Sequence, residues 1–239
     1  MMRKPNARLF VVSIAVSALA FAISRLPALG QAGDPTSVVQ MDYSNPGLSP
    51  SHWVLTLHPD GRGHFHSDRA NAAQAAGNRF ESDRSVGIIA PDVDRDIQVT
   101  QAFAGHTFQV ARQHNLFSTD CDSHMKVAFQ GIKKLSYSGP DGEGSCEFNY
   151  AKDKEIGALG DSLLAVGSTI LEGAKLEKLM VHDRLGLDSE MDYLAEASKD
   201  GRVQQLGSIQ QILMRLVEEP GIMERVKKRA RMMLSGIQK

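Results

Sequence analysis

The residues best suited to chemistry are three ligand-type side chains at alternate positions, His64, His66 and Asp68, within HPDGRGHFHSDR (58–69). On a strand, alternation puts all three on one face, with the two histidines about 7 Å apart. Imidazole and carboxylate in that arrangement suit zinc or copper. What positions them is a hairpin. HWVLTL (52–57) and RGHFHS (62–67) both alternate apolar and polar residues around Pro59-Asp60-Gly61. Pro59 presets the φ of a type I turn and Gly61 supplies the left-handed residue that closes a three-residue loop. That loop pairs His58 with Arg62, Leu57 with Gly63, Thr56 with His64, Leu55 with Phe65, Val54 with His66 and His52 with Asp68. Trp53, Leu55, Leu57 and Phe65 then share the core face, and His52, His64, His66 and Asp68 share the other.

Two readings of that second face compete. As a metal centre it needs a secured fourth ligand beside His64, His66 and Asp68, for which cross-strand His52 is the candidate. As a hairpin face it needs only solvent. The spacing is similar to the His-x-His-x-Asp-His of metallo-β-lactamase-type hydrolases, but Arg69 stands where that pattern has its last histidine, and a cation there opposes a metal. The expectation is a face without metal, with a metal-binding protein or metal-dependent hydrolase as the alternative.

Weaker constellations fall away on their own chemistry. Asp92, Asp94 and Asp96 begin like a calcium loop, but Ile97 and Phe103 occupy the positions that need glycine and a bidentate acid, so a solvated turn leading into a strand is expected. Ser123 and Lys126 match a Ser-x-x-Lys pair with no companion motif. Cys121 lies three residues before His124, yet no second Cys-x-x-Cys accompanies it, and a Cys121–Cys146 disulfide is the expectation. Arg225, Lys228, Arg229 and Arg231 line the polar side of an amphipathic segment whose other side is Met223, Val226, Ala230 and Met233. Such a helix can present a basic interaction surface or turn its apolar stripe into a core.

The chain's first residues bound the compartment. Arg3, Lys4 and Arg8 precede an apolar run from Leu9 to Ile23, and small residues follow at Gly30 and Ala32. This is the three-part pattern of a secretory signal with cleavage after Ala32. The run is shorter than the roughly 20 residues of a membrane span, and an uncleaved anchor is the rival. Without residues 1–32, which hold Arg25 besides the three basic residues just named and no acid, the formal charge moves from −1 to about −5. Such a chain offers no general attraction to nucleic acid. A periplasmic or secreted protein is expected, with an unknown protein or envelope component as partner and no membrane span in the mature chain.

Organisation follows from periodicity. After the signal, 33–51 is punctuated by Pro, Gly, Ser and Asn and reads as a linker or extended arm. Residues 52–182 read as an α+β domain. It holds the first hairpin, an Ala-rich stretch, the short strand DIQVT and a helix carrying Phe103, Thr107, Val110 and His114. A second Pro-Asp-Gly hairpin follows, with a four-residue loop at 140–143, and then a long helix with Ile156, Leu159, Leu163, Val166, Ile170, Ala174 and Leu179 in one stripe. Residues 183–239 read as all helical, with helices from about Asp188 to Lys199, from Val203 to Glu218, and from Pro220 to near Ser235. The fold class expected is α+β, an antiparallel sheet with helices followed by a helical C-terminal half. The run CDSHMKVAFQGIKKLSYSGPDGEGSCEFNYAKDKEI with the long helix after it resembles exported bacterial proteins of unestablished function. That resemblance implies export and the α+β layout, and carries no catalytic residues with it.

Overall fold

The computed structural model describes residues 34, 36–68 and 92–237. The signal segment with Ala32, the Ala-rich stretch and Arg69 lie outside the described residues. The strands are β1 (Val38–Ser44), β2 (His52–Leu57), β3 (Arg62–Ser67), β4 (Val93–Gln98), β5 (Ile132–Gly139) and β6 (Gly142–Phe148). They form one antiparallel sheet in the order β4-β3-β2-β1-β5-β6. The helices are α1 (Gln101–Gln113), α2 (Lys154–His182), α3 (Gly186–Lys199), α4 (Gln210–Glu218) and α5 (Glu224–Ile237). The fold is α+β.

The first hairpin has the register its turn dictates. Leu55 pairs with Phe65 and Thr56 with His64, and Gly61 takes φ +82°. In the second hairpin Leu135 pairs with Cys146 and Tyr137 with Gly144, so the loop is two residues, Pro140 and Asp141, and not four. Gly142 adopts φ +133°, a conformation that side chains with a β-carbon rarely reach, and so re-enters the ladder directly after Asp141. A slip of two residues preserves parity, and Leu135, Tyr137, Cys146 and Phe148 still share the buried face.

The stretch read as an arm contains β1, an interior strand between β2 and β5. Its alternate residues Val39, Met41 and Tyr43 are buried, and that period-2 pattern is what the surrounding Pro, Gly and Asn obscured. One face of the sheet, with Trp53, Leu55, Leu57, Phe65 and Ile97, is buried beneath α1 and α2 in a single core. Asp153 caps α2, accepting from the Glu155 and Ile156 amides, and the expected stripe from Ile156 to Leu179 is buried. The last turns of α2, from Leu176 to Met180, enter a second core with α3, α4 and α5. One 29-residue helix thus joins the two cores.

Two helix starts differ from expectation. Val203 to Gln205 is not helical, because the Gln204 amide donates to Thr169 Oγ1 at 2.9 Å and Gln205 takes φ +54°; a short 3₁₀ turn, Leu206–Ile209, precedes α4. Pro220 does not begin α5. Gly221 at φ +80° turns the chain first, and α5 starts at Glu224.

Cys121 and Cys146 form a disulfide across 25 residues of sequence, tying the segment before β5 to β6. A loop of that length restricts the unfolded chain by about 3 kcal/mol. The Cys121→Ala, Cys146→Ala variant should lose about that much stability in urea unfolding followed by circular dichroism, and a loss below about 1 kcal/mol would rule out the loop-closure account. Among the described residues no helix is long and apolar enough to cross a membrane.

Candidate functional site

The hairpin turns His64 and His66 onto the face of the sheet opposite the core, and the neighbouring strands bring carboxylates to them. β4 pairs with β3 so that Asp96 stands opposite His64 and Asp94 opposite His66. His64 Nδ1 lies 2.9 Å from Asp96 Oδ1, and its Nε2 lies 3.3 Å from Asp94 Oδ1. His66 Nδ1 lies 3.1 Å from Asp94 Oδ2, and its Nε2 lies 3.4 Å from Asp68 Oδ1. On the next strand, His52 Nδ1 lies 2.5 Å from Asp68 Oδ2 and Nε2 lies 3.0 Å from Asp42 Oδ1 of β1. Seven side chains therefore alternate in an unbroken row across four strands: Asp42, His52, Asp68, His66, Asp94, His64, Asp96.

Sequence reading found His52, His64, His66 and Asp68, and the structure brings all four together. It missed Asp42, in a stretch taken as an arm, and it placed Asp94 in a solvated turn leading into the strand DIQVT, which begins at Asp96, when β4 already starts at Val93 and carries both aspartates on its outward side. The alternation of Val93 and Ile97, both buried, with Asp94 and Asp96 between and beside them was the available signal.

Both ring nitrogens of each histidine face carboxylate oxygens. A neutral imidazole has one N–H and one lone pair, so it satisfies one carboxylate and repels the other unless a cation stands between. At His52 burial disfavours the charged ring, but the hydrogen bonds to Asp68 and Asp42 outweigh it and raise the imidazole above its ordinary pKa. The bond from His52 in turn holds Asp68 below the usual carboxylate range. The His64 and His66 side chains are about half exposed. Among the described residues no three His, Cys, Asp or Glu side chains converge as a ready-made metal cage. Beyond Asp42 the open face continues as a hollow of about 510 Å³ lined by Gln40, Lys134, Ser136 and Glu143.

The remaining candidates are placed elsewhere. Cys121 is consumed by its disulfide, and His124 lies beside Asp120 at 3.2 Å, so the two form no zinc pair. Ser123 Oγ accepts from the Met125 amide, and Lys126 is exposed. On α5 the stripe Val226, Ala230 and Met233 is buried in the second core. Arg225 and Arg229 both pair with Asp188 of α3, at 2.8 and 2.6 Å, Arg229 also reaches Asp192, and Arg231 pairs with Glu224. Lys228 is exposed. Three of the four basic residues thus spend their charge within the helical half.

A second constellation escaped the sequence reading. Glu190 of α3 is buried, its Oε2 2.6 Å from Lys175 Nζ, with Glu172 of α2 beside it. Burial first, and then the neighbouring Glu190, push the Glu172 carboxyl up to about 8. Glu190 sits among Leu187, Met191 and Leu194, at an apolar-face position of α3, and that misplacement was legible. No protein-family model matches the chain, and no curated protein matches it.

Proposed function

We propose that the protein is an exported binding module that holds a cationic partner, a protein or a component of the cell envelope, on the open face of its sheet. The observation that carries this reading is the row of four carboxylates and three imidazoles on one exposed face. With the three rings neutral its formal charge is −4, and no lysine or arginine belongs to it. Lys134 stands opposite Asp42 in register, so the row's negative field is weakest at β1 and strongest toward β4. Binding is favoured over catalysis because the side chains lie on a half-exposed strand face and not in a cleft that excludes water. The disulfide supports an oxidising compartment.

Titration with a hexalysine peptide, followed through backbone amide NMR signals, tests it. The expected result is shifts concentrated at 62–67 and 93–98 that diminish with added salt, since exposed charges are screened over about 8 Å at 0.15 M. The Asp94→Asn, Asp96→Asn variant should bind several-fold more weakly. Shifts confined to the helices, or none at all, would sink the proposal.

A further inference from the structure

We infer that the loop 123–130, which leads into β5, is a membrane-surface contact: it seats Met125, Val127 and Phe129 in a leaflet of anionic lipid while Lys126 and Lys152 meet the lipid phosphates. This is a second surface, apart from the carboxylate row, and the two stand or fall separately.

The loop turns its side chains to solvent although its backbone is held. Every residue from His124 to Gln130 is exposed, Met125 at 63%, Val127 at 37% and Phe129 at 57%. Tyr150, whose carbonyl accepts from the Ser123 amide, is 50% exposed at the loop's root. Asn149, directly after β6, clamps the loop. Its amide donates to Asp122 Oδ2 at 3.0 Å, its Oδ1 accepts from the Gln130 amide at 2.8 Å, and its Nδ2 donates to the Ala128 carbonyl at 3.2 Å. The Cys121–Cys146 disulfide fixes the chain before the loop, and the Tyr43 hydroxyl, donating to the Gln130 carbonyl at 2.8 Å, fixes its end. So held, the three apolar side chains stay in water until another surface covers them.

Charge indicates which surface. Lys126 stands between Met125 and Val127, and Lys152 is tied to the loop's root by its amide, which donates to the Cys121 carbonyl at 2.7 Å. Both lysines are exposed, and neither forms an ion pair among the described residues. The acids of the same end have partners: Asp120 lies 3.2 Å from His124 Nε2, Asp122 accepts from the His124 and Asn149 amides, Asp153 caps α2, and Glu155 pairs with His114. Apolar side chains interleaved with unpaired lysines match an anionic leaflet, where the acyl boundary takes the first and phosphate the second. Tyr150, with an apolar body and a polar tip, suits the headgroup level. A stable protein interface draws roughly 20–30 residues from each side, and this tip offers far fewer. The carboxylate row, which an anionic leaflet repels, is strongest at β4, the far edge of the sheet from β5 and β6.

The test is flotation of the mature protein with vesicles of equal parts phosphatidylcholine and phosphatidylglycerol, against vesicles of phosphatidylcholine alone. The mature protein lacks the apolar run from Leu9 to Ile23, so that run contributes nothing. Expected is flotation with the anionic vesicles that weakens with salt. Lys126→Gln with Lys152→Gln should lower the affinity about 30-fold, the worth of two lysines at a charged leaflet. Met125→Ser with Phe129→Ser should lower it by roughly tenfold or more, because two apolar side chains leave the interface. Both variants should keep the wild-type melting temperature, as exposed substitutions do. Should either lose it, broadening of the wild-type Met125 and Val127 methyl NMR signals by doxyl-labelled lipid in bicelles of the same composition decides instead, with no broadening counting against the inference. Absence of flotation, equal flotation with phosphatidylcholine alone, or flotation that survives both double substitutions overturns it. So does self-association of the wild type that the Met125, Phe129 variant loses, which would assign the loop to a second copy of the chain.

Discussion

Trp53→Ala is expected to destabilise the protein by about 3 to 5 kcal/mol, the range for truncating a large buried aromatic residue. Trp53 is the chain's one tryptophan, 2% exposed in the centre of the sheet. Its ring stacks at a tilt between Tyr43 of β1, 5.2 Å away, and Phe65 of β3, 5.4 Å away. From above, α2 rests on it at Gly167, where a β-carbon would come within 2.7 Å of the indole. Alanine would therefore open a cavity bounded by three strands and a helix, none of which can collapse inward alone. Thr56, three residues along the same strand on the outward face, should cost no more than about 0.5 kcal/mol when changed to alanine. Urea unfolding followed by far-ultraviolet circular dichroism measures both. Equal losses at the two positions would mean that the faces of β2 are not distinguished as the register requires.

That contrast between the two faces of β2 was legible in the sequence because a local turn dictates it. Pro59-Asp60-Gly61 sets the pairing of β2 with β3, and period-2 alternation does the rest, so His52, His64, His66 and Asp68 fell on one face without knowledge of the fold. Asp94, Asp96 and Asp42 could not be assigned in that way. They reach the row through β3 pairing with β4 and β2 pairing with β1; the Asn45-Pro46-Gly47-Leu48 turn between β1 and β2 sits inside a longer loop that does not dictate their register, and most of the connection between β3 and β4 lies outside the described residues. Similarly, the stripe on α2 was readable from its period, whereas the end of α3 and the start of α4 depend on the Thr169 hydroxyl capturing Gln204 from 35 residues away. Four of the seven side chains in the row are therefore local in origin and three are brought by tertiary pairing. The bracketing of every ring by two carboxylates needs both groups, because Asp68 serves His52 and His66 while Asp42, Asp94 and Asp96 supply the remaining contacts.

Stability should fall as pH rises from about 5 to about 8, and Glu172→Gln should remove much of that slope. The cause lies between α2 and α3. Glu190 Oε1 and Glu172 Oε2 are both buried without a hydrogen-bond partner among the described groups, while Glu190 Oε2 is taken by Lys175. Two carboxylate oxygens facing each other in a buried site repel unless one carries a proton. Burial and the charge of Glu190 raise the Glu172 carboxyl to about 8, against 4.5 for an ordinary glutamate, with Lys175 and Arg202 opposing the shift. Between those values the folded protein keeps a proton that the unfolded chain has lost. The sign follows: the contribution to stability is complete below about pH 4.5, declines by at most about 1.4 kcal/mol per pH unit, and is gone above about 8. His52, which burial lowers but the hydrogen bonds to Asp68 and Asp42 raise on balance, adds a slope of the same sign above about pH 6.5, in the upper part of that window. Comparison with the variant therefore isolates the glutamate. A glutamine at 172 donates an N–H to Glu190 at every pH, so the variant should match or exceed the wild type at pH 9 and show less advantage, or none, at pH 5. Urea midpoints for both proteins at pH 5, 7 and 9 decide the matter, and a wild-type-to-variant difference that stays constant across the three values would show that Glu172 does not hold the proton.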